Sequence, residues 1–283
     1  MYKITKDQKY LKENEKLIEK LIELNAPYKN LCWGWPFYHG DSPRYPPNLP
    51  IICATSPIGL ALLEHYKITK DPKVLEHLKS ISKTITNDFG YDTFGNELCF
   101  YHTPLDKNLV YNSNLFAATF LYNFNKELAE KAISYTLNGQ NKDGSWNYFG
   151  KNKSGKEDKI DNRHTGFILE NLMRCGIKNE KGMKFYKEKL MVGPRPKWSV
   201  TEEYPCDIHD VTQALITFTI YKDKEYATQV LNFMLKEFYN KKDGFYYKLY
   251  KNGKKNKTIF LRWNQAWAYK SIAFYLETFN EAV

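Results

Sequence analysis

Five times along the chain, a polar cluster carrying Asn, His, Asp or Arg runs directly into a small, apolar, helix-forming segment. The segments are TSPIGLALLEHY from Thr55, NSNLFAATFLYNF from Asn112, HTGFILENLMRCG from His164, HDVTQALITFTIY from His209 and WNQAWAYKSIAFYLE from Trp263. A repeat of roughly fifty residues implies stacked supersecondary units, each burying its apolar face only against its neighbours. The unit here is a helix pair. A more charged amphipathic segment precedes each apolar one, at 7–25, 72–88, 126–139, 180–190 and 223–239. In the first of these, Leu11, Ile18, Leu21, Ile22 and Leu24 form the expected stripe of an outer helix. The apolar segments, rich in Ala, Gly and Thr all round, suit helices packed on both sides.

This pattern predicts an all-α fold, an α/α toroid of about five to six helix pairs in one domain over 1–283. The long connections (26–54, 89–111, 140–163, 191–208 and 240–262) all lead into apolar helices, so they share one face of the ring. Turn signals flanked by aromatic residues at 89–102, 141–150 and 240–253 predict tight turns or short β-hairpins there. Loops on one face of a rigid scaffold are the usual carriers of binding and catalysis.

Composition narrows the function classes. No apolar run reaches the length of about eighteen residues that a membrane helix needs. The opening MYKITKDQKYLKENEK is charged and has no signal-peptide core. Cys32, Cys53, Cys99, Cys175 and Cys206 are odd in number, scattered and without CxxC, the usage of reduced thiols in a cytoplasmic protein. The net charge of +10 is nearly all Lys on outer helices and loops, with no nucleic-acid-binding motif; KNGKKNKT at 251–258 is the densest basic run. Neither a metal site nor a cofactor motif is present in the sequence, so none is expected.

The scarce arginines are more telling. Arg44, Arg163 and Arg262 stand beside polar clusters that precede apolar helices, and Arg suits bidentate carboxylate binding. Helix N-termini converging on one mouth add partial positive charge. Aromatic residues of the same loops offer faces for sugar rings, so an anionic oligo- or polysaccharide is the expected partner. The substrate-binding candidates are Arg44, Arg163, Arg262, Trp33, Trp35, Tyr38, His102, Tyr111, Asn112, Trp146, Trp263 and Asn264. The catalytic candidates are Asp161 and His164 in IDNRHTGF and Asp207, His209 and Asp210 in CDIHDVTQ. An Asp beside a His orients the imidazole for proton transfer, although Asp161 serves equally well as a helix N-cap.

QNKDGSW (140–146) resembles the Q-x-x-D-G-x-W element of terpene cyclases, which implies toroid architecture only, because DxDD and DDxxD are absent. CWGWPF, TSPIGLALLEHY, YNSN, DNRHTGF, DIHD and RWNQAW together resemble α/α-toroid proteins of microbial polysaccharide-biosynthesis clusters, over about residues 30–278. EEYP (202–205) and RW (262–263) resemble the C-terminal domain of D-glucuronyl C5-epimerases, and that likeness nominates Tyr204 as a catalytic residue. The resemblance implies C5 proton abstraction on a uronic-acid-containing polysaccharide, of epimerase or lyase type. Two alternatives stand beside it: a glycoside hydrolase of six-hairpin type using paired carboxylates, and a non-catalytic glycan-binding or polysaccharide-assembly protein.

Overall fold

The computed structural model describes residues 1–39, 45–150 and 159–279. The described residues hold ten helices of ten residues or more, alternating in sequence between charged and apolar as expected, after a single N-terminal turn, α1 (Tyr2–Thr5). The chain divides into two compact units, one comprising Lys9–Gly139 with Phe149–Lys156, the other Met1–Gln8, Gln140–Tyr148 and Glu157–Val283.

The first unit contains α2 (Gln8–Glu23), α3 (Ile52–Thr69), α4 (Pro72–Lys83), α5 (Tyr111–Leu121) and α6 (Lys126–Asn138). α3 packs on α4 and α5, and α5 on α6. Every residue of α5 is buried, which explains why its sequence is apolar all round. Gly59 permits the α3–α5 approach, since a Cβ there would lie 2.7 Å from the Phe120 ring. On α2, Ile18 is buried, whereas Leu24 lies past the helix end and is exposed, so it falls outside the predicted stripe. The 89–102 hairpin is present as β1 (Tyr91–Phe94) and β2 (Glu97–Thr103), extended by β3 (Asp106–Leu109) into an antiparallel sheet.

The second unit contains α7 (Asn162–Arg174), α8 (Glu180–Lys189), α9 (Ile208–Ile220), α10 (Lys224–Phe238) and α11 (Trp267–Phe279), the last preceded by a π-helical turn, Leu261–Ala266. α9 packs against α7, α10 and α11 and is buried along almost its whole length. Gly166 lets α7 meet α9, since its Cβ would lie 2.7 Å from Gln213 Cγ. Short ladders brace the loops: β4 (Met191–Val192) with β5 (Arg195–Pro196), β7 (Tyr239–Asn240) with β8 (Gly244–Phe245), and β9 (Lys248–Leu249) between β6 (Cys206–Asp207) and β10 (Lys255–Asn256).

Of the two forms expected there, the 141–150 segment adopts the tight turn and not the hairpin. Its Asp-Gly turn docks on the start of α8 instead: Gly144 adopts φ +99°, and a Cβ there would lie 2.5 Å from Lys181 O. Gln140 Nε2 donates to Gly144 O (2.9 Å), and Gln140 and Asn179 exchange side-chain hydrogen bonds (3.0 and 3.1 Å). Asn179 Oδ1 in turn caps α8 by accepting from Gly182 N–H at 2.7 Å. The Q-x-x-D-G-x-W element therefore acts as a clasp on an outer helix.

Candidate functional site

The second unit gathers two histidines, His164 and His209, around one phenylalanine, Phe167. α7 starts at Asp161, whose Oδ1 accepts from the His164 backbone N–H at 2.9 Å while Oδ2 meets His164 Nδ1 at 2.6 Å. One carboxylate thus performs both roles the sequence allowed, helix cap and imidazole orienter. Burial pushes Asp161 upward, but the His164 ring, two hydrogen bonds from His164 and the Arg163 charge outweigh it, holding the carboxyl below its usual range. In the neutral tautomer that donates Nδ1–H to the carboxylate, Nε2 would carry the lone pair.

α9 repeats the device one helix pair later. Asp207 Oδ1 accepts from the His209 backbone N–H (2.9 Å) and from Trp263 Nε1 (3.0 Å). His209, 5% exposed, lies between Trp263 (ring centroids 4.5 Å apart, edge-on) and Trp267 (4.3 Å, tilted). Neither of its ring nitrogens has a hydrogen-bond partner among the described residues. Burial first, then the charges of Arg163 and Lys270, push its pKa well below the ordinary histidine value, so the ring is neutral at pH 7. The Phe167 ring bridges the two histidines, 6.2 Å from His164 and 5.8 Å from His209.

Arg163 neutralises the acids behind this pair. Its Nε and Nη2 both reach Asp210 Oδ1 at 2.9 Å, and Nη2 lies 3.9 Å from Asp207 Oδ2. Lys248, paired with Asp207 across the β6–β9 ladder, brings Nζ within 3.8 Å of the same oxygen. Asp210, 2% exposed, is raised to about 7 by burial and by the neighbouring Asp207 and Asp161, against the pull of Arg163. Arg163 also stacks over Trp263 (4.8 Å) and Trp198 (5.9 Å). Below the histidines, buried Glu170 receives Arg174 and Gln213, with Lys270 at 3.6 Å, tying α7, α9 and α11 together. Despite burial, those positive groups hold its carboxyl down at about 2.

Among the predicted residues, Asp161, Arg163, His164, Asp207, His209, Asp210 and Trp263 are thus assembled in one cluster, and Arg262 lies beside it, over Trp263 at 5.8 Å. Others take packing roles. Asn264 is buried, donating Nδ2 to Phe245 O and Thr258 O. Trp146 is 2% exposed and packs against Gly182, so it offers no face to a sugar. Tyr204 touches neither histidine; the Arg195 guanidinium stacks on its ring at 4.2 Å in a separate groove.

The remaining predicted residues belong to the first unit. Trp33 is buried with Nε1 donating to Leu21 O, and Tyr111 is buried against Tyr135 and Gly139. His102 Nδ1 meets Ser113 Oγ at 2.6 Å, and Asn112 Nδ2 lies 3.9 Å from Cys53 Sγ. Trp35 sits edge-on to His39, and Tyr38 is exposed. Arg44 lies outside the described residues.

Sequence reasoning did not single out Phe167, Glu170 or Lys248. A Phe at the third position after a candidate His, one helical turn on, was the available signal for Phe167. Lys248 needed strand register, which no local pattern supplies. No group of three or more His, Cys, Asp or Glu among the described residues is arranged to hold a metal, and no described helix is long and apolar enough to cross a membrane.

No protein-family model matches the sequence, and no curated protein does. Solved structures do match. A D-mannose isomerase superposes with TM-score 0.70 at 13% identity, covering 98% of this chain and 83% of that one. A cellobiose 2-epimerase from Bacillus thermoamylovorans gives 0.68 at 13%, covering 97% and 87%. A GH76 α-mannanase from Bacteroides thetaiotaomicron gives 0.61 at 11%, covering 98% and 80%. The fold is an α/α toroid. At these identities the likeness is one of architecture, and it matches the alternation of charged and apolar helices seen in the chain.

Proposed function

We propose that this protein is a carbohydrate-active enzyme that moves a proton at a carbon of its sugar substrate, in the manner of an epimerase or isomerase. The observation that carries the reading is the His164–Phe167–His209 arrangement: one imidazole oriented by Asp161, the other neutral and buried, with neither nitrogen hydrogen-bonded among the described residues. The structural neighbours named for sugar epimerisation and isomerisation have the same fold.

A C–H beside a carbonyl or carboxylate is the group such a pair attacks. One neutral imidazole accepts the proton, leaving an enediol-type intermediate and an imidazolium. Return of a proton to the same carbon from the opposite face gives the epimer; return to the neighbouring carbon gives the isomer. His209 is suited to the first step because burial keeps it unprotonated, with Trp263 and Trp267 packed on its ring.

The charge balance favours a neutral aldose over a uronate. Arg163 is committed to Asp210 and Asp207, and Lys248 to Asp207, so a substrate carboxylate would depend on Arg262. A glycoside hydrolase is the second reading, because a carboxyl raised to about 7 is suited to general-acid work. It stands behind the first because Asp210 is almost fully buried and held by Arg163.

The test is incubation in D2O with a panel of aldoses, β-linked disaccharides, uronate oligomers and α-mannans. Carbon-bound deuterium in an aldose or disaccharide is expected, falling by about 10²-fold or more in His164→Asn and His209→Asn. Exchange confined to uronates would transfer the reading to C5 chemistry, and ultraviolet absorbance there would make it a lyase. New reducing ends without exchange would sink the proton-transfer reading in favour of hydrolysis.

A further inference from the structure

The densest basic run of the sequence and the tyrosine of EEYP meet, away from the histidine cluster. Two adjoining cavities of about 410 and 710 Å³ share Tyr204, Tyr250 and Lys251 in their walls. One continues past Arg195, Phe233 and Leu249, the other past Lys254, Lys255 and Asn256. The floor is the β6–β9–β10 ladder, in which Cys206 faces Leu249 and Leu249 faces Lys255. The rim is the β9–β10 turn, held by the Tyr250 backbone N–H donating to Lys254 O (2.9 Å), by the Gly253 N–H donating to Tyr250 O (2.9 Å), and by Gly253 at φ +78°.

We infer that this groove is an accessory binding site for an anionic polysaccharide strand. Two of its cations are internally matched, Arg195 by Glu203 (2.8 Å) and Lys255 by Glu237 (3.1 Å). Lys251 and Lys254 have no acidic partner among the described residues, and both are exposed. Asn252 and Asn256 accept backbone N–H bonds through Oδ1, which leaves their amide nitrogens as donors for hydroxyls. Tyr250, 38% exposed, and Tyr204, braced from one side by Arg195, supply ring faces. Separated positive charges, amide donors and tyrosine faces match a chain of sugars bearing carboxylates. They fit a nucleic acid poorly: neutralising two phosphates gives a salt slope of only about −2, far short of the six to ten contacts typical of that binding.

The same β6 strand carries Asp207 of the histidine cluster and follows directly on Tyr204-Pro205, so groove and cluster share one rigid ladder. Groove binding does not require the proposed reaction, and the two readings can fail separately.

The test is titration of the protein with a polygalacturonate oligomer, a neutral cello-oligosaccharide and oligo-dT at low salt, by calorimetry. Binding of the polyuronate alone is expected, weakened roughly tenfold in Lys251→Glu/Lys254→Glu. Tyr250→Ala should weaken it too, and His209→Asn should leave it unchanged. The two lysines are exposed, so the charge-reversal variant should keep the wild-type circular dichroism spectrum and any deuterium exchange. The inference is overturned by no polyuronate binding, by equal binding of the neutral oligomer, by tighter binding of oligo-dT, or by a double variant that binds as wild type does.

Discussion

Replacing Asp210 with Asn should make the pH dependence of stability visibly different from wild type, in a direction set by its raised pKa. The Asp210 carboxyl is raised to about 7 in the folded protein from an ordinary value of 3.8. Between those values the folded chain holds a proton that the unfolded chain has released. Stability from this group is therefore fully present below pH 3.8 and is lost as pH rises through about 7. The slope is about 1.4 kcal/mol per pH unit where the two states differ by a full proton. Asn has no such titration. Subtracting wild-type from variant unfolding free energy should then give a difference that grows by about 2.5 kcal/mol from pH 5 to pH 8 and levels off above. The constant offset will depend on how Arg163 adjusts to its remaining carboxylates, Asp207 and Asp161. Urea titrations of both proteins at pH 5, 6, 7 and 8, with slopes m compared to confirm two-state behaviour, supply the measurement. A difference independent of pH would refute the reasoning, because Asp210 would then titrate alike in the folded and unfolded chains.

His209 should show the opposite sign. Its folded pKa is depressed, so it contributes stability above pH 6.5 that is lost as pH falls towards its lowered value. His209→Asn should accordingly lose less stability than wild type between pH 6.5 and 5 in the same urea series. Asp161→Ala should cost about 1 kcal/mol through the lost cap, read as a lower urea midpoint, and should also slow deuterium exchange; Asp161→Asn should restore the midpoint but not the exchange rate. Gly182→Ala should destabilise by about 1–3 kcal/mol, because its Cβ would lie 2.7 Å from the Trp146 ring, without changing the KM for any sugar turned over. Trp263→Phe should keep most of the packing on His209 but lose the indole hydrogen bond to Asp207, and it should lower kcat more than it raises KM.

Much of this molecule follows from local rules. The alternation of charged and all-round apolar segments dictated ten helices, since an apolar helix without a polar face has to be covered on both sides, as α5 and α9 are. Asp161 and Asp207 were readable as helix starts with a histidine one turn or less away, which is why the histidine cluster could be named from sequence. The aromatic candidates divided differently. Burial of Trp33, Tyr111 and Trp146 depends on which neighbouring helix each loop meets, and a tryptophan's sequence context is the same whether it stacks on a ligand or fills a gap. Tyr204 was placed by resemblance, and the ladder turned its ring towards Arg195 and Tyr250 instead of the histidines.

By itself, then, the sequence determined the helix periodicity, the caps that start α7 and α9, and the residue types available for proton transfer. Only tertiary structure decided their charge states and company: that Arg163 is consumed by Asp210, that Lys248 arrives from a distant strand, and that His209 is sealed between two tryptophans. Periodicity and capping act within a few residues of one chain segment. Burial and ion pairing instead sum over groups that folding alone brings within a few ångströms.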